Sequence, residues 1–138
     1  MSITLGVSHT FTHLPGVVFD AWLDPKIASK FLFATPTGTM VKVEIDPRIG
    51  GRFNITERRE GVDNPHVGEY LEIDRPRRLV FSFGDNIAFD GTTVTVEITP
   101  TSGGCELTLT HRGVLDQWQA QTIQGWTGIL ESQARALC

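Results

Sequence analysis

The signatures that most readily betray an activity are missing from this chain. It has no Gly-x-Ser-x-Gly nucleophile turn, no phosphate-cradling glycine loop, no dinucleotide fingerprint and no His-Glu-x-x-His pair. Two cysteines, Cys105 and Cys138, are too few for a disulfide framework, and no Cys-x-x-Cys or His/Cys cluster offers zinc spacing. Cys105 and His111 share a strand face, but six residues at strand rise is roughly 20 Å, too far for a nucleophile and its base. No metal or cofactor is therefore called for. No apolar run approaches a membrane span, and no basic region followed by an apolar stretch opens the chain, so no membrane contact and a cytoplasmic location are expected. A basic excess is missing too. Twelve basic against sixteen acidic residues give a net charge of −4, which speaks against a general nucleic-acid binder.

What is present fits a globular protein. At 138 residues, 40% apolar and 20% charged, the chain can fill one core, and without repeats, low-complexity tracts or linkers residues 1–138 read as one domain. Arg48, Arg52, Arg58, Arg59, Arg75, Arg77 and Arg78 crowd the central third. Solvated strand faces and turns explain them better than an anion-binding patch.

Alternation dominates the pattern. Ile3, Leu5, Val7, His9 and Phe11 share one face of a first strand over 3–12. Pro15 then introduces a short helix over 17–23, which Asp24-Pro25 stops, and a second short helix runs over 25–31. Residues 31–40, with Pro36 and Gly38, read as a loop. Strands follow near 41–46, 52–59, 66–74, 78–84, 92–99 and 105–112, with turns at Gly50-Gly51, Gly61 to Pro65, Asp74 to Pro76, Gly84 to Gly91 and Pro100 to Gly104. Val41, Val43 and Ile45 share a face, as do Phe53 and Ile55. The other inward sets are Leu79, Phe81 and Phe83; Val94, Val96 and Ile98; and Cys105, Leu107, Leu109 and His111. Threonines and Glu97 on the opposite faces point to an antiparallel sheet wet on one side. From Leu115 to Leu137 no proline occurs, and Leu115, Trp118, Thr122, Trp126, Ile129 or Leu130, Gln133 and Leu137 recur at helical spacing. Gly125 and Gly128 cost such a helix about 1 kcal/mol each relative to alanine. Their placement around Trp126 points to close approach of backbone or ligand, or to room for the indole.

The order of strand, two short helices, six-strand meander and long closing helix carries several motifs in sequence. Val18-Phe19-Asp20-Ala21-Trp22 precedes Asp24-Pro25, and Asp46-Pro47-Arg48-Ile49-Gly50-Gly51-Arg52-Phe53 forms an Arg-x-Gly-Gly-Arg-Phe turn. Gly68-Glu69-Tyr70, Pro76-Arg77-Arg78-Leu79-Val80-Phe81, Gly103-Gly104, Leu107-Thr108-Leu109-Thr110-His111 and Gly125-Trp126 follow. In these motifs the chain resembles the SRPBCC, or START-like, superfamily, and within it the group similar to the C-terminal domain of the heat-shock protein 90 ATPase activator. It departs from that group at Cys105, where threonine is common, at Phe31-Leu32, where tryptophan is common, and at Arg77, where glutamate is common. The resemblance implies an α+β helix-grip fold, a curved antiparallel sheet wrapped around the C-terminal helix with a hydrophobic cavity between them. It leaves activity open, since relatives include lipid carriers, aromatic cyclases and cochaperone domains.

The cavity candidates are Phe53, Ile55, Glu57, Phe81, Phe83, Leu109, His111, Trp118 and Trp126. His111, at the end of an inward face, reads either as a cavity base or as a structural histidine bonded to backbone. The structural reading is favoured because no carboxylate is placed to orient the ring. Glu57 falls inside by alternation with Phe53 and Ile55, where a buried carboxylate would mark function. The charged run Glu57-Arg58-Arg59-Glu60 favours a wet strand end instead. His9 and His13 are ambiguous, and His66 is expected in a turn. Three functions compete: a carrier of a small apolar molecule, which leads; a cyclase- or hydrolase-type enzyme using the same cavity; and a chaperone-contacting interaction domain, acting as monomer or homodimer. The closing helix, returning along the last strand, is expected to bring Cys138 near Cys105 as two free thiols, Cys105 buried and Cys138 exposed.

Overall fold

Period-two burial builds the sheet, and a computed structural model describes it over residues 2–34, 37–84 and 91–137. The strands are β1 (Ser2–Phe11), β2 (Thr39–Ile45), β3 (Arg52–Arg59), β4 (Val62–Asp74), β5 (Arg78–Phe83), β6 (Thr92–Thr101) and β7 (Gly104–Leu115). All pair antiparallel in the order β1-β7-β6-β5-β4-β3-β2. Two short helices, α1 (Pro15–Ala21) and α2 (Pro25–Ala28), carry the chain from β1 at one edge to β2 at the other. Each opens with proline at its first turn, and the Asp24 carboxylate caps α2 by accepting from the Lys26 backbone N–H at 2.9 Å. A 3-10 turn (Asp116–Trp118) leads into α3 (Gln119–Ala136), which buries Thr122, Trp126, Leu130 and Gln133. The expected helix-grip architecture is what forms.

The inward faces read from alternation hold. Leu79, Phe81, Phe83, Val94, Val96, Ile98, Cys105, Leu107, Leu109 and His111 are all buried. Several local readings need correction. Val41 is 41% exposed because the β2–β3 register slips between Met40 and Lys42, so a bulge turns it off the face of Val43 and Ile45. Leu115 is exposed and lies at the end of β7, outside the helical stripe. α3 packs along β1, the neighbour of β7, rather than back along β7 itself. Cys105 is fully buried, with burial pushing its thiol pKa up, whereas Cys138 lies outside the described residues, as do Pro36 and residues 85–90 of the expected turn.

The largest boundary difference concerns β4. Glu60 and Gly61 both take positive φ, 52° and 77°, and close a two-residue hairpin between Arg59 and its partner Val62. β4 therefore starts at Val62, and Pro65 and His66 belong to the strand rather than to a turn. Proline is tolerated there because β5 pairs with β4 only over Tyr70 to Asp74, apart from one bridge between Val67 and Gly84. Among the described residues, the first half of β4 thus has no strand paired along its other side.

At the Arg-x-Gly-Gly-Arg-Phe turn the two glycines serve different needs. Gly50 has φ +84° and open space around it, whereas a side chain on Gly51 would run into the Asp46 carbonyl oxygen. Gly51→Val is expected to cost about 1–3 kcal/mol through that collision. Urea unfolding checks this, and an unchanged midpoint would contradict the packing of the turn.

Candidate functional site

Between β3, the first half of β4 and α3, the structure leaves a half-open cleft of about 640 Å³. β3 contributes Glu57 and Arg59, β4 contributes His66, β5 contributes Phe83, and the segment after α2 contributes Phe33 and Ala34. α3 supplies the facing wall through Thr122, Gly125, Trp126, Gly128, Ile129, Ser132 and Arg135, residues spaced to share a helical face. A Cβ built on Gly125 or Gly128 meets nothing within 4 Å. Neither glycine makes room for a neighbouring backbone or for an indole; both leave the cleft wide.

The floor is aromatic. The Phe33, His66 and Phe83 rings lie nearly parallel, with Phe33 at 4.4 Å from His66 and 5.1 Å from Phe83, and Trp126 stands tilted against Phe33 at 5.7 Å. His66 Nδ1 is 3.1 Å from the Ile55 carbonyl oxygen, which can only accept, so Nδ1 carries the proton when the ring is neutral. Glu57 sits deeper still, 1% exposed, with Oε1 held at 2.7 Å by Arg59 Nε. The wet reading of Glu57 is therefore corrected. Alternation continues through the strand end, and the arginine two residues on, on the same face, supplies the partner a buried carboxylate needs. Glu131 and Arg135 add one charge of each sign at the helix rim, so the cleft is polar at its mouth without a net sign.

His111 lies behind this floor. Trp126 Nε1 donates to His111 Nδ1 at 3.0 Å, His111 Nε2 lies 2.8 Å from Thr92 Oγ1, and the Thr92 hydroxyl donates to the Phe83 carbonyl at 3.1 Å. The directions agree throughout: a Thr92 hydroxyl that gives its proton to Phe83 accepts from Nε2–H, leaving Nδ1 bare for the indole. Burial pushes the His111 pKa down to about 4. Its partners are side chains and not the backbone groups expected, and both ring nitrogens are engaged, so it ties β7 to α3 and offers no free base to the cleft.

Of the residues named from sequence, Glu57, Phe83 and Trp126 line the cleft together. Phe53, Ile55, Phe81 and Leu109 are packed in the core, and Trp118, half-buried, packs against that core before α3 begins. Phe53, Ile55, Phe81 and Leu109 share the sheet's inward face but are closed off within the packed core. Phe33, Arg59 and His66 are the parts that residue-by-residue reading missed as lining, whereas ligand approach was one of the readings given for Gly125 and Gly128. Phe33 lay in a stretch without periodicity. For His66 the signal was available: counting back across a two-residue Glu60-Gly61 turn pairs it with Ile55. Among the described residues, no group of three or more His, Cys, Asp or Glu could hold a metal, and no helix is long and apolar enough to cross a membrane.

Solved structures repeat this fold. A protein from Chromobacterium violaceum superposes with a TM-score of 0.88 at 24% identity, covering 97% of this chain and 96% of that one. The AHSA1-like protein from Aeromonas hydrophila gives 0.87 at 23% identity, with 98% and 92% covered. A protein of unknown function from Staphylococcus aureus gives 0.88 at only 14% identity, with 99% and 94% covered. No curated protein matches the chain. The family described as activator of Hsp90 ATPase homolog 1-like protein matches residues 13–137. By fold and by sequence, the chain belongs to the activator of Hsp90 ATPase homolog 1-like family.

Proposed function

We propose that this protein binds a small, largely apolar molecule in the cleft between the sheet and α3. The observation that carries the reading is the pair Gly125 and Gly128. Each weakens a helix that alanine would strengthen, with nothing within 4 Å to forbid a Cβ, and both front the cleft. Phe33, Phe83 and Trp126 give such a ligand flat apolar contact, and Glu57, Arg59 and His66 give it a polar end to orient against.

Gly125→Ala and Gly128→Ala are expected to raise stability by about 0.5–1 kcal/mol each while weakening binding of anilinonaphthalene sulfonate, an apolar fluorescent probe. Stability and affinity then move in opposite directions. A gain in stability with unchanged probe affinity would place the probe elsewhere and remove the cleft from the account.

A second reading, an enzyme in the same cleft, draws on one observation: Glu57 and His66 both line it. His66 pairs opposite Ile55 and Asn64 opposite Glu57, so the carboxylate and imidazole are diagonal neighbours on one sheet face. Recovery of a captured ligand with its mass unchanged after prolonged incubation supports carriage; a changed mass, abolished in Glu57→Gln, supports the enzyme.

A further inference from the structure

Beyond the cleft floor lies a second, small and only partly enclosed void of about 10 Å³, walled by Trp22, Phe53, Tyr70 and Phe81 among others. Phe33 is the one residue that lines both spaces. It therefore stands between them. It is also one of the only two described residues other than glycine with positive φ, at 58°; the other, Glu60, sits in a hairpin turn. A bulky residue held in the left-handed region stores strain, and such strain gathers at sites that move or bind. The ring rests flat on His66 and Phe83, and stacked plates present no ridge against sliding along their common plane.

A second observation concerns Trp22, one of the residues that wall this void. Trp22 is 2% exposed, and its indole Nε1–H has no hydrogen-bond acceptor among the described residues. Buried donors are nearly always paired, because leaving one unpaired forfeits its hydration without return. The void has room for roughly one water or one oxygen atom of a larger molecule. None of the residues lining it is charged, so an ionised group is excluded and a neutral acceptor is favoured.

We propose that Phe33 is the movable wall between the cleft and an inner subsite, and that this subsite receives a neutral acceptor, such as a carbonyl oxygen at the leading end of a flat apolar ligand, on the Trp22 indole N–H. The inference rests on the cleft being the ligand site. A carboxylate-tipped chain would have to enter with its charged end outward, toward Arg59 and Arg135, whereas a ketone or ester enters acceptor first.

Acetylnaphthalene and its hydrocarbon counterpart ethylnaphthalene test this on the wild-type protein with isotope-labelled indole nitrogens. The ketone is expected to bind about tenfold more tightly and to move the Trp22 N–H resonance downfield, while the hydrocarbon leaves that resonance in place. Trp22→Phe keeps an aromatic ring and should erase the ketone's advantage, and Phe33→Ala should speed its association. If Trp22→Phe fails to fold, the wild-type indole resonance decides alone. Equal binding of both probes with an unmoved Trp22 signal overturns the inner subsite and leaves the cleft standing. A ketone advantage that survives Trp22→Phe overturns it as well, since the void then holds only water. Failure of both probes to bind overturns the cleft reading and this inference together.

Discussion

Trp126→Ala lowers the unfolding free energy by about 4–5 kcal/mol and the melting temperature by more than about 10 °C. Trp126 is 3% exposed and packs against Trp22, Phe33, Phe83 and His111. Truncation removes that burial and also takes away the donor to His111 Nδ1, leaving a buried acceptor unpaired. Trp126→Phe narrows the comparison, because it keeps a six-membered aromatic ring while losing the N–H and the rest of the indole. A loss below about 2 kcal/mol in the alanine variant, read by urea unfolding, would mean that the indole borders open space on most of its surface.

Stability also falls as pH drops from 6.5 toward 4, because of His111. The folded state holds this ring neutral with a pKa near 4, against 6.5 for the free side chain. Below 6.5 the unfolded chain takes up a proton that the folded chain refuses, so protonation favours unfolding. The effect grows until the pH reaches about 4, where the folded ring also protonates, and amounts to about 3 kcal/mol. Asp20 and Asp63 act in a different window. Arg75 and Arg58 hold their carboxyls below the usual range, so their contribution is full above about 4 and is lost only in stronger acid. Urea midpoints between pH 7 and pH 4 should therefore decline in the wild type and flatten in His111→Asn. Parallel profiles would show that His111 does not carry the dependence.

The sheet was legible because face membership is a local property. Leu79, Phe81, Phe83, Val94, Val96 and Ile98 alternate inward, and no tertiary contact was needed to see it. The helix stripe through Thr122, Trp126, Leu130 and Gln133 was legible for the same reason, including Gln133, whose Nε2 donates to the Val18 carbonyl at 3.0 Å. What alternation does not encode is which part of an inward face stays uncovered. Phe53 and Ile55 precede Glu57 on the same strand face, yet only Glu57 reaches the cleft, because coverage depends on what packs over each position in the fold. Charge misled at Glu57, where a nearby arginine on the same face made burial tolerable. Phe33 was illegible in a stronger sense: its role follows from a left-handed backbone between helix and strand, which no periodicity announces.

The central claim is that the space beside Gly125 and Gly128 is kept for a ligand. Native mass spectrometry tests it most directly, with wild type and Gly128→Leu each incubated in the small-molecule extract of the expression host. A side chain at Gly128 starts from a Cβ position with open space around it, on the helix face that lines the cleft. The account predicts a discrete adduct on the wild type that the variant fails to retain. A bare wild-type mass, or the same adduct on both proteins, would contradict it.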